Sequence, residues 1–429
     1  MKYSVVTFGC RVNQADSLGF EAELRAAGAV ESAPNAADVV IVNTCSVTAT
    51  ADQGARQTIR RIARDNPQAR IVVTGCYATR RADEVAQLPR VARVVPNEEK
   101  PVLVRLIRGV TERPAFEEAE TCSVDAGDGP CGRAIEPGVA GRTAFTLRVQ
   151  TGCAEPCSYC IIPTTRGAPR SVAMADVLSD VERIAASGFK EIVLTGVHLG
   201  SYGRDLESRS TLLELLEALD RQATASGREI LFRISSLEPM DCSPEIVDLV
   251  AASDRFAPHF HLPLQHASNR VLTAMRRPYT IEQYAALADR IRDRIPHASI
   301  GSDVIVGFPG ETDGDADRLV SYLQRSPLTH VHVFPYSDRP GTDASKMAAK
   351  VGGTAVRERG RRVREVAQQL TSAFRAAQVG TAHRALTIED GTLAVTGNYL
   401  KLRIPPGRSR NEWVRIRVLS EHHGELLGG

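Results

Sequence analysis

At 429 residues, with 43% hydrophobic and 24% charged side chains, the chain has ordinary globular composition and room for two or three domains. Its 53 basic and 51 acidic side chains leave a net charge of +2, which excludes a partner chosen by global charge alone. No apolar run approaches the roughly 20 residues that cross a bilayer, MKYSVVTFGC carries no signal-peptide pattern, and an odd count of nine cysteines argues against a disulfide framework. The expectation is a soluble cytoplasmic protein in a reducing compartment, with no membrane partner.

The first hundred residues alternate apolar runs with helical patterns: SVVTF, DSLGFEAELRAAG, ADVVIVNT, ADQGARQTIRRIARDN and ARIVVTG. Strand, helix, strand, helix, strand predicts a doubly wound parallel sheet. Each strand ends at a cysteine: Cys10, Cys45 and Cys76. In an open parallel sheet the ligand crevice lies beyond the carboxyl ends of the strands, so these thiols are expected to converge on a metal. The alternative is three free core cysteines, a common state for one such residue but not for three at equivalent topological positions.

Residues 117–141, EEAETCSVDAGDGPCGRAIEPGVAG, have no periodicity and read as a linker. Cys122 and Cys131 inside it have no partner at metal spacing and are expected to be incidental thiols, and Cys242 a structural one. From Thr143 a second series of strands follows: FTLRVQ, EIVLTGV, EILFRISS, HFHLPLQ, SIGSDVIVGF and HVHVFPYS. Helical stretches separate most of them, which predicts a partial (β/α)6 barrel with its site at the carboxyl ends of the strands. Directly after the first strand comes TGCAEPCSYC, where Cys153, Cys157 and Cys160 are spaced x3 then x2. Three thiolates hold a 4Fe-4S cluster by three corners and leave one iron open. A zinc knuckle or ordinary buried thiols are the other readings, but structural zinc wants four ligands and no second pair follows nearby. Ser235 and Gln265, at the ends of predicted strands, are candidate polar contacts to cofactor or substrate.

After a helix at about 354–379 the pattern changes to short strands, HRALTIED, TLAVTGNYLKLRI and EWVRIRVLS, which predicts a small all-β module. Between residues 401 and 417 six basic residues (Lys401, Arg403, Arg408, Arg410, Arg415 and Arg417) face one acid, Glu412, with Tyr399 and Trp413 nearby. Such a stripe suits nucleic acid; a solvated basic face is the plainer alternative.

Taken together, GCRVNQADS, VNTCSVT and TGCYA around the first three cysteines, the CAEPCSYC triplet, GVHLGSYG, RISSLEP, LPLQHAS, VIVGFPGET and HVFPYSDRPGT resemble the radical S-adenosylmethionine methylthiotransferases over nearly the whole chain. The resemblance implies a methylthiotransferase domain at 1–112, a linker at 113–138, a radical-SAM barrel at 139–370 and an RNA-binding TRAM module at 371–429. It implies two 4Fe-4S clusters. The one on Cys153, Cys157 and Cys160 would chelate S-adenosylmethionine and cleave it after one electron from a donor such as flavodoxin or ferredoxin, producing a radical that takes hydrogen from the substrate. The one on Cys10, Cys45 and Cys76 would carry the sulfur, with a second S-adenosylmethionine supplying the methyl. Tyr159 would pack on the adenine side of the cofactor, or simply pack at the barrel mouth. Gly196 would let backbone approach the methionine moiety, or simply turn the chain.

The local matches look like the branch that modifies C2 of N6-threonylcarbamoyladenosine at position 37, in the anticodon loop of tRNA. Isopentenyladenosine 37 and a ribosomal-protein aspartate are the alternative substrates, and His266 in LPLQHAS looks like the protein-modifying branch. A basic residue at the barrel mouth would suit the threonylcarbamoyl carboxylate. Arg233 is the candidate, with a rim salt bridge as its other role. A radical enzyme that transfers no sulfur and a non-catalytic RNA-binding iron-sulfur protein remain as further classes.

Overall fold

In the computed structural model, which describes residues 1–108, 137, 143–422 and 425–429, the run Val39–Thr44 is buried at every position. Burial on both faces is what a central parallel strand requires. This strand, β3, lies in a five-stranded parallel sheet with β1 (Lys2–Thr7), β2 (Val30–Glu31), β4 (Arg70–Gly75) and β5 (Val91–Val95), in the order β2-β1-β3-β4-β5. Val40 and Val42 pack on one face with Ala55, Ile59 and Ile62 of helix Ala49–Asp65. Ile41 packs on the other with Phe20 and Leu24 of helix Arg11–Ala26 and with Leu103. The sheet is therefore doubly wound, as expected, with two further strands, β2 and β5, that apolar periodicity does not mark. This unit holds residues 1–108 together with Thr151–Ala154 and Cys160–Ala168. The linker expected at 113–138 lies, apart from residue 137, outside the described residues, as do Cys122 and Cys131.

The second unit holds 143–150, Glu155–Tyr159 and Pro169–Gly429. Six parallel strands follow in chain order: β6 (Phe145–Arg148), β7 (Glu191–Thr195), β8 (Leu231–Ile234), β9 (His259–His261), β10 (Ser299–Val306) and β11 (His330–Pro335). They form two three-stranded sheets joined through a bridge between Ser236 and His261, a (β/α)6 half-barrel. Reciprocal capping boxes start three of the helices, with Thr211 and Glu214, Thr280 and Gln283, and Thr312 and Asp315. The run HFHLPLQ makes a shorter strand than expected. Pro263 brings no N–H and Gln265 takes φ of 64°, so only a single bridge, Gln265 to Val304, resumes the ladder.

Helix Gly353–Gln378 leads into a closed five-stranded barrel built from β12 (Ala382–Ile388), β13 (Leu393–Thr396), β14 (Lys401–Arg403), β15 (Trp413–His422) and β16 (Glu425–Gly428). The expected strand TLAVTGNYLKLRI is split by a turn at Gly397-Asn398-Tyr399, where Tyr399 has φ of 68°. This module docks at the amino ends of the half-barrel strands. Asn411 donates to Gly188 O (2.8 Å), Trp413 Nε1 to Glu229 O (3.2 Å) and Asn398 to His297 O (2.9 Å).

Arg233 is the central tie of that contact. It is 0% exposed, pairs with Glu191 at 2.7 Å, donates to the carbonyls of Gly397 (2.8 Å) and Thr396 (3.4 Å), and lies over the Tyr399 ring at 4.5 Å. It therefore sits at the amino end of the barrel and not at the mouth, where a substrate carboxylate could meet it. Arg233→Ala leaves Glu191 buried and unpaired, and is expected to cost about 3–5 kcal/mol in denaturant unfolding. A loss under about 1 kcal/mol would show that the tie carries no such weight.

Candidate active site

Strand order places the first three cysteines. In the order β2-β1-β3-β4-β5 the chain reverses direction of winding between β1 and β3, the position where open α/β sheets bind ligands. Cys10 follows β1, Cys45 follows β3 and Cys76 follows β4. Gly9, at φ of 90°, brings the first loop onto the second: a Cβ there would lie 2.5 Å from Cys45 Cβ and 2.7 Å from its Sγ. Burial pushes the Cys45 thiol up to about 11, and the neighbouring Cys10 and Cys76 thiols add to the rise. Three thiols within electrostatic reach of one another make a donor set that a metal cluster suits.

The same unit surrounds them with cations and amides. Arg166 is 3% exposed, donates to Asn13 Oδ1 (2.5 Å), pairs with Asp16 (3.3 Å), and has its guanidinium held charged by Cys76 and Asp16 against the cost of burial. Lys100 completes the cluster at 2.6 Å from Asp16, and Asn97 Nδ2 lies 3.7 Å from Cys76 Sγ.

The second cysteine set comes after β6 and spans eight residues, from Cys153 to Cys160. Cys153 N–H donates to Gly167 O (3.1 Å) and Cys160 Sγ accepts from Ile162 N–H (3.4 Å). Cys157 Sγ accepts from Arg277 Nη1 at 3.2 Å. Arg277 is 7% exposed and is braced by Glu238 and by Tyr279, whose hydroxyl accepts from Nε at 3.2 Å. All three thiols are partly exposed, and in sequence they follow a barrel strand directly. Cys242, in contrast, is fully buried with its thiol pushed up to about 12, an inert structural residue.

Tyr159 packs edge-on against Phe308, 6.5 Å between ring centres, beside Val271 and Met275. Gly196 follows β7 and is tight against Gln150, whose Oε1 would be 2.9 Å from a Cβ. Ser235 is buried after β8 and its hydroxyl meets that of Thr195 at 3.3 Å. Gln265 is half-buried, with its backbone bonded to Asp303 O and Ile305 N–H. All except Tyr159 stand beyond the carboxyl ends of barrel strands.

Sequence reasoning missed Arg166, Arg277 and a wall of imidazoles. Registers pair His261 with Gly301, Gly301 with His330, and Asp303 with His332. Side chains alternate across a strand, so His259, His261, Asp303, His330 and His332 share one face. The opposite face meets the helices, as where Tyr284 bonds to Ser302, so the imidazole face is the inner wall of the half-barrel. The alternations HFH and HVH were the legible signal.

The basic stripe is largely paired by acids from neighbouring strands. Lys401 meets Glu389 (3.0 Å), Arg403 meets Glu425 (2.6 Å) and Arg408 meets Glu412 (2.9 Å), while Arg410 and Arg417 donate to backbone carbonyls. Trp413 carries Arg384 on its ring at 3.8 Å and is tied to Glu229, so it is occupied within the docking seam. Of the two aromatics expected beside the stripe, Trp413 is thus engaged while Tyr399 is 48% exposed. No described helix is long and apolar enough to cross a membrane.

Residues 2–96 match the uncharacterized protein family UPF0004, and residues 147–323 match the radical SAM superfamily. The chain is 36% identical to the threonylcarbamoyladenosine tRNA methylthiotransferase MtaB of Aquifex aeolicus (strain VF5), over 97% of this chain and 100% of that one. Its identity to MtaB of Bacillus subtilis (strain 168) is 35%, covering 86% of this chain and 80% of the relative. It is also 33% identical to a tRNA-2-methylthio-N(6)-dimethylallyladenosine synthase of Acidothermus cellulolyticus (strain ATCC 43068 / DSM 8971 / 11B), over 99% of this chain and 84% of that one. Among solved structures, the radical S-adenosylmethionine methyltransferase TsrM of Kitasatospora setae superposes with a TM-score of 0.56 at 16% identity, covering 80% of this chain and 73% of that one, a likeness of fold.

His266 belongs to the scaffold. It is 0% exposed, its Nδ1 accepts from Ser268 N–H at 3.0 Å, and its Nε2 lies 4.0 Å from the buried Glu311. Burial lowers its pKa to about 4, from an ordinary value of about 6.5. Below pH 6.5 the unfolded chain gains a proton that the folded chain refuses, so this contribution to stability is complete above about 6.5 and falls as pH drops, by up to about 1.4 kcal/mol per unit. Between pH 7 and 5.5 the wild type is expected to lose about 1 kcal/mol more than His266→Asn in denaturant unfolding; equal losses would contradict the burial argument.

Proposed function

We propose that this chain, which belongs to the radical S-adenosylmethionine methylthiotransferases, adds a methylthio group to C2 of N6-threonylcarbamoyladenosine at position 37 of tRNA. The observation that carries the choice of substrate is the inner wall of the half-barrel, where His259, His261, Asp303, His330 and His332 stand together. A threonylcarbamoyl group brings a carboxylate, a hydroxyl and amides to such a wall. An isopentenyl tail would bring that polar wall no hydrogen-bonding group, and sites built for hydrogen bonding reject analogues that lack the partner. The isopentenyl reading rests on the dimethylallyladenosine synthases among the relatives.

Cys153, Cys157 and Cys160 would hold the 4Fe-4S cluster that binds S-adenosylmethionine, and Cys10, Cys45 and Cys76 a second cluster, three thiolates each leaving one position open. When bound, the first supplies reductive cleavage of S-adenosylmethionine and the second a place for the incoming sulfur. The protein's own part is orientation and charge. Arg277 fixes Cys157 by a charge-assisted bond, while Arg166 and Asn97 do the same around Cys76. Gly196, Ser235 and Gln265, with Tyr159 nearby, would bind the cofactor at the carboxyl ends of β7, β8 and β9. The adenosine next to the anticodon lies in a loop, where a base can leave its stack and enter a barrel. The carboxyl-terminal module would add phosphate contacts, and a flavodoxin or ferredoxin would supply electrons. Divided at 1–112, 139–370 and 371–429, the chain would give each of these tasks its own domain, with helix Gly353–Gln378 running across the last boundary.

Loss of the gene is expected to remove the 2-methylthio derivative of N6-threonylcarbamoyladenosine from hydrolysed tRNA, read by mass spectrometry, and Cys45→Ala or Cys157→Ala should fail to restore it. Loss of the methylthio-isopentenyl nucleoside instead would favour the second substrate, and restoration by Cys45→Ala would sink the two-cluster assignment.

With a cluster bound, the guanidinium at Cys157 would favour its more negative, reduced state. Arg277→Gln is therefore expected to lower the midpoint potential of that cluster by roughly 60 mV, taking a charged hydrogen bond as about 1.5 kcal/mol. An electron paramagnetic resonance redox titration reads this directly, and an unchanged potential would remove Arg277 from that role.

A further inference from the structure

Inside the half-barrel, His261 Nε2 lies 3.1 Å from Asp303 Oδ1 and His332 Nδ1 lies 3.0 Å from the same oxygen. All three ligand atoms fall within 4.8 Å of one another. Ligands about 2.1 Å from one metal ion and at right angles to each other stand about 3 Å apart. The two measured separations have that value. Two imidazole nitrogens and one carboxylate oxygen gathered on one face of the sheet are the donor set that holds Fe(II) and its divalent neighbours.

The fold makes room for this arrangement. At Gly301, between the two histidine strands, a Cβ would lie 2.0 Å from His330 Nε2 and 2.9 Å from His261 Nδ1. Any side chain there would drive the rings apart. His330 packs against the set, with ring centres 6.0 Å from His261 and 5.7 Å from His332. The ring of His332 is 60% exposed, which gives an ion a way in.

We propose that His261, Asp303 and His332 form a binding site for one divalent first-row transition metal ion, separate from the cysteine sites and with open positions suited to oxygen donors. The site does not depend on the choice of substrate. Its ligands are imidazole and carboxylate, which take Mn2+, Fe2+ or Co2+ without thiolate.

Mn2+ is the probe, added without nucleic acid to the enzyme with its clusters in the oxidised, diamagnetic state. Free Mn2+ gives a six-line resonance that disappears on binding. The wild type is expected to take up one ion per chain, with Co2+ displacing it as the tighter binder in the divalent series. His261→Ala and His332→Ala should each weaken binding at least tenfold, and His383→Ala, in the carboxyl-terminal module, should leave it unchanged. Because the His332 ring is largely exposed, His332→Ala separates loss of a ligand from loss of fold, and circular dichroism confirms which has occurred. No stoichiometric uptake by the wild type, or uptake that survives in both variants, overturns the site and makes the cluster a hydrogen-bonded group alone. Uptake lost in His330→Ala but kept in His332→Ala overturns the ligand set.

Discussion

Parallel strand pairing is the constraint from which the rest follows. A parallel ladder points every strand the same way, so each loop that leaves a carboxyl end emerges on the same edge. In the sheet β2-β1-β3-β4-β5 this turns three sequence-distant cysteines into neighbours. In the half-barrel it gathers the residues after β6, β7, β8 and β9 at one rim, and at the other it leaves the amino ends free for the carboxyl-terminal module. Reversing any one of these strands would carry its loop to the wrong edge.

Charge compensation is the second organising term. A cluster held by thiolates concentrates negative charge where burial disfavours it. Both cysteine sets therefore have a guanidinium at hand, itself nearly buried and answered by a carboxylate: Arg166 with Asp16, and Arg277 with Glu238. Such groups cost free energy to bury and repay it only through well-made hydrogen bonds. Here the bonds run to Asn13, to Tyr279 and to the sulfur of Cys157. The arrangement holds its cations in place before any anionic group arrives.

What was legible in the sequence is what repeats locally. Strand-then-cysteine, six apolar runs alternating with helices, and a long helix near 354–379 each leave a pattern within a few residues, and each matches an observed element. The contacts that were not legible join distant positions. Arg277 reaches Cys157 across 120 residues and Arg166 reaches Asn13 across 153. Arg233 has apolar neighbours on both sides in β8, so its sequence context could not tell a barrel rim from a barrel mouth. The acids that pair with the basic stripe were not legible for a related reason. Glu389 and Glu425, which neutralise Lys401 and Arg403, lie 12 and 22 residues away and come alongside only when the small barrel closes.

The placement of that small barrel bears on how RNA is held. It docks at the amino ends of the half-barrel strands, while the cysteine loop and the candidate cofactor residues leave from the carboxyl ends. A base entering at the carboxyl rim thus lies a full strand length from the docking seam. On the proposed function, contacts made by the module would fall on a part of the RNA distant from the reacting base, so they would add affinity and register while the inner wall of imidazoles would choose the nucleoside. With Trp413 engaged by Arg384 and Glu229, the module would offer RNA charge more than stacking by that ring. Affinity and selection would in this way be divided between the two ends of one barrel, with selection at the wall formed by β9, β10 and β11.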